Sequence, residues 1–233
     1  MITLQSLWRA CLLSIRTQGR ELFYLVFGAA LLSLILGKVL YGLLPQIDLV
    51  AAQKFELPKI RLGALLAQAA IAPGLKAALL CLLQRDLCRQ PINAMTAFKQ
   101  GLVLYLPLSL LDLLFNLALF SGLLLAIVPG LIIAVRWSLA SIILVQERQS
   151  IYKSLATSWR YTARCWPLLV AGYWPMISLQ LLVFAGLSSL APSLPADLWS
   201  WQLVSQTLIN MSQAPPLIYR FHLTVQHINS AAT

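Results

Sequence analysis

An all-α, polytopic membrane protein is what this sequence predicts, and three observations carry the prediction. Hydrophobic residues make up 60% of the 233 and charged residues only 10%, against about 25% charged in a soluble domain. Mean hydropathy is +0.80. The apolar residues gather in runs long enough to cross a hydrocarbon layer, which takes about 20 residues of helix. Inside lipid only a helix or a closed barrel satisfies its own backbone, so a water-soluble globule is excluded. Seventeen Lys and Arg against seven Asp and Glu give a formal charge of +10. Those basic residues are split among the segments between apolar runs and no nucleic-acid motif accompanies them. A phospholipid bilayer with anionic lipids, and no nucleic acid, is the expected partner.

The chain reads as a single integral membrane domain, 1–233. An N-terminal stretch, 1–21, has helical periodicity, with Leu4, Leu7, Trp8, Cys11 and Ile15 on one side and Arg9, Arg16 and Arg20 on another. It is expected to lie in the membrane interface. Spans are expected at 22–45 and 62–83, with a compact outer-surface loop over 46–61 between them. The next apolar run, 101–145, is double length and contains Pro129-Gly130, so it reads as a hairpin of spans 101–126 and 130–145 with the reversal at that pair. A second amphipathic stretch follows at 148–165, where Ile151, Leu155, Trp159 and Thr162 share a face opposite Lys153, Arg160 and Arg164. Spans 166–191 and 198–221 complete a count of six. Pro215-Pro216 removes two backbone donors and should break or kink the last.

Orientation follows from Lys and Arg, which are retained in short cytoplasmic loops. Arg9, Arg16, Arg20, Arg85, Arg89, Lys99, Arg148, Lys153, Arg160, Arg164 and Arg220 fall on one side; Lys54, Lys59 and Arg61 fall on the other, diluted by Asp48 and Glu56, with Asp197. Both termini are expected in the cytoplasm of a bacterial cell, the chain being multi-pass in the inner membrane with no cleaved signal peptide. The four cysteines lie near that reducing side, so disulfides are not expected.

Ionisable groups at bilayer depth are costly and are default candidates for function. Tyr105, Ser109, Asp112 and Asn116 form a polar stripe at helical spacing in span three. Asp112 and Arg136 lie at similar depths, about 16 Å in, and are expected to pair across the hairpin. Such a pair fixes register more reliably than it adds stability; the sharper reading gives Asp112, Asn116 and Ser109 to a proton or solute route. Span six carries a second stripe, Gln202, Gln206, Asn210 and Gln213. Lys76 is expected to snorkel to the headgroups. The echo of AIAPGLKA at 70–77 in AIVPGLII at 126–133 does not extend into the flanks and reads as accidental.

Enzymatic signatures are missing. There is no Gly-rich phosphate loop, no HExxH helix and no GxSxG elbow. His222 and His227 have no acid or cysteine close in sequence, Cys81 and Cys88 lack zinc spacing, and Glu147 is a lone acid without a second catalytic group. No catalytic residue, metal or cofactor is expected.

From 127 to 166 the string IVPGLIIAVRWSLASIILVQERQSIYKSLATSWRYTARCW resembles the central signature of the YciC-type bacterial inner-membrane proteins, through Pro129-Gly130, Ala140, Leu144-Val145-Gln146 with Glu147, and Ser158, Trp159 and Thr162. SQTLINMSQAPPLIYRF, at 205–221, is similar to that family's last span, including Leu217, Tyr219 and Arg220. The membrane domain attached to some glycerophosphodiester phosphodiesterases has a similar Pro-Gly opening, and its presence implies membrane association and not hydrolysis. The resemblance implies a six-span inner-membrane protein without an established reaction. Two functions compete: a non-enzymatic envelope-integrity factor that binds lipid or a membrane partner, a second copy included, through Arg9, Arg16, Arg20, Lys153, Arg160 and Arg164; and a small transporter or channel using Asp112, Asn116, Arg136, Gln206 and Asn210.

Overall fold

The computed structural model describes residues 3–43, 59–88, 90, 92–190 and 199–231, and among these every regular element is a helix. Eight helices follow in order: α1 (Leu4–Leu43), α2 (Lys59–Leu87), α3 (Ala94–Val103), α4 (Tyr105–Leu125), α5 (Ile127–Arg136), α6 (Ala140–Glu147), α7 (Ile151–Leu190) and α8 (Trp199–Ala231). The expected outer loop and Asp197 lie outside the described residues up to 58 and between 191 and 198; from Lys59 the chain is already helical. Helix α1 packs along α2 and α8, α7 along α8, and α4 against α5. Leu80, Leu82, Leu83, Ile142, Ile143 and Tyr219 are sealed in the core.

Among the described residues five stretches are long and apolar enough to cross a membrane: Leu4–Leu40, Leu66–Leu87, Tyr105–Gly122, Val128–Glu147 and Ile151–Leu187. The expectation of six is corrected. Helix α8, at 33 residues, is long enough, but Gln202, Gln206, Asn210 and Gln213 dilute its hydropathy. It also runs unbroken through Pro215 and Pro216. Pro216 frees the carbonyl of Ser212, four residues back, and Gln180 Nε2 of α7 donates to that oxygen at 3.1 Å.

The two amphipathic stretches are likewise not separate interfacial helices. Each is the first half of a 40-residue helix that continues into the next apolar segment. Leu7, Cys11, Ser14 and Gln18 are buried on α1, where Cys11 Sγ reaches Pro215 O at 3.8 Å and Ser14 hydrogen-bonds His222 at 2.8 Å. In the first turns of α7 Ser154, Ser158 and Thr162, spaced by four, are buried, followed by Cys165, while Trp159 is 43% exposed. Small side chains let helices approach closely, and that requirement outweighs the apolar face that periodicity selected.

The long apolar run 101–145 is interrupted three times. Leu104 ends α3, and Pro107 then falls in the first turn of α4, where its missing N–H has no intrahelical partner to lose. The hairpin reverses at extended Ala126 (φ −170°, ψ 158°), not at Pro129-Gly130, which sit inside α5. The glycine serves close approach instead: a Cβ on Gly122 would meet Gly130 Cα at 2.9 Å. At Trp137–Leu139 the chain breaks again, and the carbonyls of Arg136 and Ser138 are taken up by neighbouring helices. Ser158 Oγ donates to Arg136 O at 2.7 Å and Arg220 Nη1 to Ser138 O at 3.1 Å.

Candidate polar cavities

A cavity of about 330 Å³ lies among α2, α4, α7 and α8, and seven of its lining side chains are polar groups drawn from all four helices: Lys76, Asp112, Tyr173, Gln180, Asn210, Gln213 and Arg220. Lys76 Nζ donates to Asp112 Oδ1 at 2.7 Å, each side chain about a quarter exposed. The expected Asp112–Arg136 pair is therefore corrected. Asp112 faces α2 across the hairpin's side, and Arg136 turns outward over the Trp159 ring at 5.3 Å, with Nη1 3.4 Å from Trp159 O. Lys76 does not snorkel, because a carboxylate at its own depth satisfies its charge at less cost than a long reach to the headgroups.

Arg220 is held without a carboxylate. Its Nε donates to Pro216 O at 3.2 Å, its Nη1 to Ser138 O, and its guanidinium lies 5.2 Å from the Tyr173 ring centre. A guanidinium has five N–H donors, so Arg220, which lines the cavity, has donors beyond these two bonds. The rest of the span-three stripe does not join this group. Ser109 donates to Leu106 O and Asn116 to Asp112 O, each within its own helix, and Tyr105 reaches Ala70 O at 2.8 Å.

The span-six stripe meets α2 through a residue the sequence reading passed over. Gln68 Nε2 donates to Asn210 Oδ1 at 2.9 Å, and Gln68 Oε1 accepts from both Gln206 and Ser33. Asn210 is 1% exposed, yet its Nδ2 has no hydrogen-bond partner among the described residues. A buried donor left unpaired costs about 1–3 kcal/mol. The signal for Gln68 was available as the one amide in an otherwise apolar stretch of α2; Arg220 was marked only by its place at the end of a span and in the family resemblance.

A second cavity, about 560 Å³, opens at the basic end of the bundle between α2, α3, α4 and α6. Arg85, Arg148, Gln84, Gln100 and Gln149 line it with apolar Val103, Leu104 and Pro107, and no carboxylate does. Arg148 adopts φ 48°, the left-handed region that residues other than glycine uncommonly enter. Glu147 hydrogen-bonds Gln149 and meets no second acid or base there. Around this end Arg9, Arg16, Arg20, Lys153, Arg160 and Arg164 are all exposed, while Glu21 of α1 caps α3 by accepting from Ala94 N–H at 2.8 Å.

A family model described as an uncharacterised protein family (UPF0259) matches residues 52–226. The chain belongs to this family. Every residue lining either cavity falls within the UPF0259 match, whereas α1 precedes it. No solved structure matches the chain.

Proposed function

We propose that this UPF0259 protein is a non-enzymatic, multi-pass protein of the bacterial inner membrane, of YciC type, that binds anionic phospholipid at its basic end in support of envelope integrity. The observation that carries the proposal is the pair Arg85 and Arg148, brought from α2 and the end of α6 to one cavity with no lining carboxylate. Two guanidinium forks suit a phosphate, and basic pockets between membrane helices are a recurring site for lipid headgroups. The apolar wall at Val103, which is 81% exposed, and Leu102, at 60%, offers a surface to the attached acyl chain. The exposed cations of α1 and α7 strengthen attraction to an anionic leaflet, which supports the reading of that end and both termini as cytoplasmic. Native mass spectrometry of the protein released from mild detergent tests this reading. The wild type is expected to retain phosphatidylglycerol or cardiolipin in stoichiometric amount and the Arg85→Ala, Arg148→Ala double variant to lose it; equal retention by both would overturn the site.

A second reading, a small transporter, draws on the break at Trp137–Leu139 beside Arg220, since interrupted helices near mid-bilayer form substrate sites in transporters. It predicts solute flux in liposomes that Asp112→Asn reduces, and flux indifferent to that change would remove it.

A further inference from the structure

The deeper cavity does not end at its polar groups. A smaller cavity of about 250 Å³ shares Gln180 and Gln213 with it and continues between α7 and α8, walled by Ile177, Leu181, Val183, Phe184 and Ile209. The polar chamber holds two cations, Lys76 and Arg220, against one carboxylate, Asp112. It therefore carries one uncompensated positive charge. Its donors also exceed its acceptors: Asn210 lines it and has a buried Nδ2 with no hydrogen-bond partner among the described residues, and both Lys76 and Arg220 have N–H groups beyond those used on Asp112, Pro216 and Ser138. A singly charged oxyanion answers the charge and the donors together. The apolar groove that begins two glutamines away answers a hydrocarbon chain.

We propose that the chamber at Lys76, Asn210 and Arg220, with the Ile177–Phe184 groove of α7 beside it, binds the carboxylate and chain of a single fatty acid. Depth selects a fatty acid over a phospholipid. Lys76 lies nine residues inward of Arg85 on α2, about 14 Å along the helix. A phospholipid would have to carry its glycerol and headgroup to that depth, and a fatty acid brings one carboxylate only. The site is distinct from the Arg85–Arg148 cavity and does not depend on it.

The experiment is titration of the full-length protein, delipidated in a neutral sugar detergent, followed by native mass spectrometry with decanoate, decanol and single-chain lysophosphatidylglycerol as probes. Decanoate is expected to bind at one per chain and at least tenfold more tightly than decanol. Asn210→Asp keeps the acceptor for Gln68 but replaces the unpartnered donor with a negative charge, and should weaken decanoate at least tenfold; Arg85→Ala should leave it unchanged. Decanol binding as well as decanoate on the wild-type protein would overturn the proposal without recourse to any variant. On the Arg85→Ala, Arg148→Ala double variant, where the other anion site is removed, lysophosphatidylglycerol binding more tightly than decanoate would overturn the carboxylate assignment. An Asn210→Asp protein that binds decanoate normally would overturn the location.

Discussion

Lys76 and Arg85 stand on the same helix, and their surroundings differ in kind. Arg85 lies near the end of α2, where its Nη1 donates to the neutral Gln90 at 3.0 Å and its cavity contains a second arginine. Lys76 lies deeper and is paired with Asp112 at 2.7 Å. Close to a membrane surface, water and headgroups solvate a cation, so two can share a cavity without a protein counter-charge. At depth that solvation is withdrawn and the fold must supply an opposite charge or backbone acceptors, as Asp112 does for Lys76 and as Ser138 and Pro216 do for Arg220. Like charges left together at the end of a bundle thus point to an outside anion, and a nearly balanced group inside points first to architecture.

The strongest way to break this comparison is to remove Asp112. Asp112→Leu strands Lys76 and should cost about 3–5 kcal/mol, read as a large fall in unfolding midpoint in detergent; adding Lys76→Met should restore most of it. An equal loss from Arg85→Ala, which is expected to change stability by about 0.5 kcal/mol or less, would erase the distinction between the two cavities. Next in size is Gly172→Ala. A Cβ there would run into the Tyr219 ring, whose hydroxyl donates to Leu168 O at 2.8 Å and whose face meets Trp8 at 6.2 Å. Overpacking of this kind costs about 1–3 kcal/mol and should loosen α8 from both α1 and α7, measurable as lowered midpoint with no change in decanoate selectivity.

At the basic end the effects fall on binding. Arg85→Ala and Arg148→Ala should each weaken anionic-lipid affinity about fivefold, from roughly 1 kcal/mol per basic group, and the effect should shrink as salt rises. The smallest expected effect is a pH dependence at His222. Burial pushes its imidazole below the ordinary value of 6.5, with Asp86 opposing in part. The unfolded chain then binds a proton that the folded one refuses, so stability is full above about pH 6.5 and declines as pH falls below it. His222→Phe should flatten that decline in a midpoint-against-pH series.

Much of the fold was legible because hydropathy averages over whole segments. The run from 66 to 87 reads as a membrane helix whatever any one residue does, and α2 spans it. The site was legible only in its members. Asp112 and Asn210 stood out as polar groups in apolar surroundings, and both line the deeper cavity. Ser109, Asn116 and Arg136 stood out for the same reason, yet they bond within their own helix or turn outward. The break at Trp137–Leu139 was not visible, because no proline or glycine marks it and the Ser138 carbonyl is satisfied by a residue far along the chain, Arg220.

Composition and periodicity by themselves determined that this chain is helical and membrane-borne with its cations gathered at one end, since each of those properties is a sum over many residues. Only the tertiary structure decided that Asp112 meets Lys76 and not Arg136, that α8 stays helical through two prolines, and that the Asn210 Nδ2 is left buried without a partner among the described residues. Neighbouring positions on a helix differ by about 100° in direction, so the choice of partner rests on how each helix is rotated against the next, which no single segment encodes.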